Sequence, residues 1–196
     1  MIQQLTEFTV TLDYGRSHTT FLVHVDGQQE PVVRVHKDAA YDHSPPYQVF
    51  AGPGLGQLVG YVNDFSAIAP DRRVIGRVEH KNRSWRPDEW TVTQEGFGTL
   101  NGEPVGATNK ARRALPVLDW GVVDAALSFK MHWHSAQSQG FELARHAGVR
   151  ATYTVKIHDP RLDRLLVLAA LVHFNRFGTS DLRQSVVDVT ANPFKA

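Results

Sequence analysis

The sequence predicts a mainly β protein: a closed antiparallel sheet wrapped around one hydrophobic helix near the C-terminal end. Three observations carry that prediction. From residue 5 to about 158 the chain is a succession of short runs rich in Val, Thr, Tyr, Phe and Trp, broken by Gly, Pro, Asn and Asp, which is strand and turn chemistry. The stretch "DPRLDRLLVLAALVHFNRF", residues 159 to 177, is apolar at every position from Leu165 to Val172, so it has no polar face for two turns. The 196 residues, 42% of them hydrophobic, suffice for one domain with a sizeable core.

The strands follow in order. "TEFTVTL" alternates Phe8, Val10 and Leu12 against threonines, as a half-buried strand does. "TTFLVHVDGQQEPVVRVHKD" is two apolar runs around Asp26-Gly27, a dipeptide favoured in tight hairpins. "YQVFAGPGLGQLVGYVN", "RRVIGRVEH" and "WTVTQEGFGTLNGEPVGAT" then repeat a loose theme of strand, glycine turn and strand. Gly60, Gly76 and Gly106 sit within strand-like runs, where glycine marks a bend or a close backbone approach. After a turn near "ARRALPVLDWG" come "AALSFKMHWHS", "GFELARHAG" and "RATYTVKIHD". The count reaches ten or more strands.

Asp159 as N-cap, Pro160 at the first helical position and Gly178 as the stop predict a helix over 160–177, about 27 Å long at about 1.5 Å per residue. A membrane span needs about 20 mostly apolar residues, more than this run between charged ends provides. The alternative is burial inside the strands that precede it, as a core plug within a closed sheet. His173, inside that helix, then needs a buried hydrogen-bond partner.

Lysine and arginine (21) balance aspartate and glutamate (20), and the resulting charge of +1 gives no global attraction to nucleic acid or to an anionic membrane. Nucleic acid is therefore not an expected partner. With no cysteine, disulfides, thiolate nucleophiles and cysteine-ligated zinc are excluded. The opening "MIQQLTEFTVTLDYGRS" lacks a basic region followed by an apolar one, so no signal peptide is expected and the cytoplasm is the expected location.

The strand-rich chain, then "YTVKIHD", then "PRLDRLLVLAALVHFNRF", together with "QLVGYVN" and "RRVIGRV", resembles the tubby C-terminal-like superfamily, which includes plant LURP-one-related proteins and phospholipid scramblases. The resemblance covers about residues 5 to 178. It implies a barrel of about twelve strands around the central helix, a single domain over 1–178, and a C-terminal tail over 179–196. Scramblases carry an acidic, calcium-associated segment before the helix. Here "VKIHDPRLD" offers only Asp159 and Asp163, short of the roughly six to eight oxygens calcium prefers. Tubby proteins bind phosphoinositide headgroups through surface lysines and arginines, which implies an anionic lipid or a protein as partner, possible peripheral attachment to a membrane, and no cofactor.

Two basic clusters could serve such a headgroup: Lys81, Arg83 and Arg86 around Trp85, and Lys110, Arg112 and Arg113. A solvated hairpin loop has the same composition. His132 and His134 in "KMHWHS" fall on one face of a strand and could share a metal, the basis of an alternative reading as a metal-dependent barrel enzyme. Against it stand the distance in sequence to Glu142 and the lack of ligand spacing at His146 and His158. Gly52, Gly54 and Gly56 in "FAGPGLGQLVG" lack the Lys-Ser/Thr ending and following helix of a phosphate loop. No GxSxG or HExxH occurs, and Ser44, Ser66 and Ser135 show no local sign of activation, so a non-catalytic binding module is expected, with a scramblase-like membrane protein as the remaining alternative.

Overall fold

The computed structural model describes residues 2–15, 17–39, 45–81, 88–105, 128–147 and 151–177. Within them twelve strands form a closed antiparallel barrel: β1 Glu7–Tyr14, β2 Thr19–His24, β3 Val33–Lys37, β4 Tyr47–Ala51, β5 Gln57–Val62, β6 Ser66–Ile68, β7 Val74–Lys81, β8 Glu89–Gln94, β9 Gly98–Val105, β10 Phe129–Ser135, β11 Ser138–Arg145 and β12 Thr152–Ile157. Each strand pairs with the next in sequence, and β12 closes on β1 through Phe8 opposite Val155 and Val10 opposite Tyr153. The tail 179–196 lies outside the described residues.

Because side chains alternate across a strand, every second residue points into the barrel. Phe8, Val10, Phe21, Val23, Val49, Val92, Trp133 and Val155 are buried in this way. They meet the one α-helix among the described residues, α1, Arg164–Phe177, whose residues from Leu165 to Phe174 are all buried. The lumen is thus filled by a helix that has no solvent face. This arrangement answers the lack of any polar stripe in the sequence.

The helix begins four residues later than the caps predict. Asp163 is the N-cap: its carboxylate accepts from the Leu165 N–H at 2.8 Å, while its own N–H donates to the Gln94 side chain at 2.7 Å. Asp159 instead closes the turn before it, accepting from the Arg161 N–H and guanidinium and from the Ser138 hydroxyl. Pro160 belongs to that turn. Arg164 is buried at the start of α1, where its guanidinium donates to the carbonyls of Leu5, Pro160 and Leu162.

Gly60 and Gly76 behave as close-approach glycines. A Cβ on Gly76 would lie 2.4 Å from the Thr93 carbonyl and 2.7 Å from a Leu166 methyl, and one on Gly60 would lie 2.5 Å from Leu165. The helix therefore packs directly on the backbone of β5 and β7. Gly106 lies outside the described residues. The Asp26-Gly27 hairpin forms with a longer connection than a tight turn, residues 25–32, and Gly27 takes the left-handed φ of 81°.

Candidate functional site

An up-and-down barrel puts its connections alternately at two rims. One rim surrounds the start of α1 and carries the β2–β3, β4–β5, β6–β7, β8–β9 and β10–β11 links. The other surrounds the last turn of α1, and there β7 ends at Lys81, β8 begins at Glu89, β9 ends at Val105 and β10 begins at Phe129. The strand ends that flank the two basic segments in sequence therefore all lie on this second rim. Lys81 is exposed and pairs with Glu79 at 3.8 Å. Arg83, Trp85, Arg86, Lys110, Arg112 and Arg113 lie outside the described residues.

The same rim collects polar groups just inside the barrel. Asp64, in the link between β5 and β6, accepts from the His173 ring Nδ1–H through its backbone carbonyl and pairs with Arg176 through its carboxylate. Burial pushes the His173 imidazole below its ordinary pKa; the bond to Asp64 opposes that shift and the nearby His80 reinforces it. His80 stacks on Trp90 with ring centroids 3.9 Å apart, and His173 stands edge-on to Trp90 at 5.5 Å. Asn175 links Tyr153 to Tyr14, accepting at 2.7 Å from one hydroxyl and donating at 2.8 Å to the other. Lys37 is buried with its ammonium 4.5 Å from the Tyr47 ring. The Tyr47 phenol is held well above its usual pKa, first by burial and then by the Asp64 charge. At the same rim Phe65, whose ring meets that of His173 edge-on at 5.7 Å, is 55% exposed and Val105 is 38% exposed.

The other candidate groups separate clearly. Gly52, Gly54 and Gly56 form the 52–56 link between β4 and β5, with φ of 80° at Gly52 and 61° at Gly54, which is hairpin geometry. Ser66 donates its hydroxyl to Asn63 within the β5–β6 turn, and Ser135 accepts from the Gln137 N–H. Asp159 and Asp163 are both committed to closing the turn and capping α1. The Arg161 hydrogen bond holds the Asp159 carboxyl well below the usual carboxylate range, against its burial.

His132 and His134 do share the outer face of β10, with ring centroids 4.7 Å apart. Glu142, distant in the linear pattern, lies directly opposite His132 on β11. His158, which has no ligand spacing in sequence, comes within 5.9 Å of His132, ring to ring. Cross-strand register created that neighbourhood, and a one-dimensional reading has no signal for it. Among the described residues no three His, Asp or Glu side chains converge, as they stand, on a point where a metal would sit. Nor is any described helix long and apolar enough to cross a membrane.

Fold and rim together define an antiparallel β-barrel filled by a helix, with the ends of β7, β8, β9 and β10 that flank the two basic segments at one rim. Comparison with family models, curated proteins and solved structures gives no match for this chain.

Proposed function

We propose that this chain is a non-catalytic binding module, a tubby-like barrel that engages an anionic lipid headgroup at the rim surrounding the last turn of α1. The observation that carries this reading is the shared rim: the strand ends flanking Lys81, Arg83 and Arg86 and those flanking Lys110, Arg112 and Arg113 all lie there. Exposed Phe65 and Val105 on the same rim suit the boundary between headgroups and acyl chains. The non-catalytic part of the reading rests on the lumen, where a barrel would hold a small substrate. Here α1 fills it.

The test is flotation of the purified, detergent-free protein with phosphatidylcholine liposomes, with and without phosphatidylserine, at low and raised salt. Salt-sensitive capture by the anionic liposomes alone is the expected result. Each basic residue near an anionic surface contributes about 1 kcal/mol, so Arg112→Ala with Arg113→Ala should weaken partitioning roughly thirtyfold. Protein that stays in solution with every lipid refutes the headgroup reading and points to a protein partner.

A further inference from the structure

Where α1 stops, the barrel encloses a histidine, the side chain whose charge changes most readily between pH 5 and 8. His173 is 1% exposed. Its Nδ1–H donates to the Asp64 backbone carbonyl, and aromatic rings flank it: Trp90 from β8 edge-on at 5.5 Å, and Phe65 from the β5–β6 link edge-on at 5.7 Å. Among the described residues, the titratable or charged side chains facing it are Asp64 from that link, His80 from β7, with ring centroids 6.3 Å apart, and Arg176 from α1 itself. Behind these, His80 stacks on Trp90 with its Nε2 3.1 Å from the Asp88 carboxylate, and the Tyr47 phenol of β4 feels the charges of Asp64 and Arg176.

A proton added to His173 puts a second cation beside a carboxylate that Arg176 already pairs with. The imidazolium still donates to the Asp64 carbonyl, so that hydrogen bond survives. What changes is that a full charge is enclosed among aromatic rings, near Arg176 and His80, at the cost of its hydration. The two sides of the contact are not equally fixed. Asn63 clamps the link from within, its side-chain oxygen accepting from the Phe65 and Ser66 N–H groups, and the Phe65 carbonyl accepts from the Val78 N–H of β7. Those bonds do not titrate. The last turn of α1 is fastened to the wall through side chains: His173 and Arg176 on Asp64, and Asn175 between Tyr14 and Tyr153. The helix end is therefore the side that gives way.

We propose that His173 is an acid-sensitive latch, whose protonation frees the last turn of α1 from the β5–β6 link while the barrel wall stays folded. The direction follows from linkage. Burial holds the enclosed imidazole below its ordinary pKa, with His80 and Arg176 adding to that effect and Asp64 opposing it, so the released form binds the proton more tightly and gains as pH falls. Such local opening, short of global unfolding, is a general property of the less stable parts of a fold. The latch stands independently of which ligand the rim takes.

Hydrogen exchange of the full-length protein between pH 8 and 5, expressed as protection factors so that the intrinsic pH dependence of exchange cancels, tests the latch. Protection of residues 173–176 should fall by up to about tenfold per pH unit below about pH 6.5, the ordinary histidine pKa, while β1 and β11 keep theirs. His173→Gln, uncharged throughout, should make the protection of that turn indifferent to pH over this range. His24→Gln, remote on β2, should leave the acid response intact. Protection of the last turn that does not change with pH, or that falls in step with β1, overturns the proposal, as does an acid response preserved in His173→Gln. If His173→Gln does not fold, the comparison of the last turn with β1 in the wild-type protein decides the question.

Discussion

Asp64 and Arg176 close the barrel against its helix: the carboxylate of one, in the β5–β6 link, pairs with the guanidinium of the other, in the last turn of α1. The Asp64 backbone carbonyl at the same time holds His173, one turn earlier on the same helix face. One residue thus secures two successive contacts, but through different atoms. Asp64→Asn keeps the carbonyl and removes the charge, and because the Arg176 side chain is 30% exposed the loss should be modest, about 0.5–1 kcal/mol in urea denaturation. A loss of several kcal/mol would show that the ion pair, and not helix packing, holds this rim.

Stability should fall as the medium is acidified, in two stages of the same sign. The folded protein binds a proton at His173 less readily than the unfolded chain, since burial lowers its pKa. The unfolded chain therefore protonates first, and the stability His173 contributes is fully present above about pH 6.5 and declines below it. Asp159, whose folded pKa is depressed chiefly by Arg161, contributes stability that is lost only in stronger acid, below about pH 4. Denaturation midpoints between pH 8 and 3 measure this, and His173→Gln should flatten the first stage while leaving the second.

Glycine replacement should discriminate crowded from open positions. Gly76→Ala forces a methyl against the Thr93 carbonyl, which is backbone and cannot swing aside, and against Leu166; a cost of about 1–3 kcal/mol or more follows. In Gly56→Ala the nearest atom is the Pro53 carbonyl at 3.7 Å, an ordinary contact, and the change should stay within about 0.5 kcal/mol. Thermal melting of the two variants side by side tests the packing of α1 on β7.

Leu168, 2% exposed at the middle of α1, is the most direct probe of the filled lumen. Leu168→Asp buries an unpaired charge at a cost of several kcal/mol, comparable with the whole stability of a domain, and should yield no soluble folded protein. A soluble, cooperatively melting variant would mean that the helix leaves the barrel.

How far the sequence alone reaches can be judged residue by residue. Alternation of Phe8, Val10 and Leu12, and the fully apolar run from Leu165 to Val172, translate directly into inward-facing strand residues and a buried helix, because burial is a one-dimensional pattern. Strand β6 leaves no such pattern: Ser66–Ile68 is three residues long, with one buried side chain, too short for alternation to register. The helix start is misplaced in the sequence reading because Asp159 before Pro160 matches the usual cap signal, and only the contacts of Ser138 and Gln94 distinguish turn from cap. At the candidate sites the limit is different in kind. His132 and His134 are neighbours in sequence, but Glu142 and His158 join them only through strand register, which composition and spacing do not encode. Likewise, the strand ends flanking the two basic segments share a rim only because β7 and β9 run toward the same end of the barrel.

The pairing of β1 with β12 sets the order in which the protein can assemble. Staves that are neighbours in sequence can zip locally, but the seam joins Glu7 to Lys156, and the helix that fills the lumen follows only after it. An emerging chain therefore carries eleven strands with an unsatisfied edge and an empty interior until its last elements leave the ribosome. Such long-range closure is slow relative to local zipping and leaves apolar inner faces exposed meanwhile. For this architecture the hazardous period is the time before the seam closes, and heterologous yield should depend on growth temperature and chaperone supply more than on the equilibrium stability of the finished barrel.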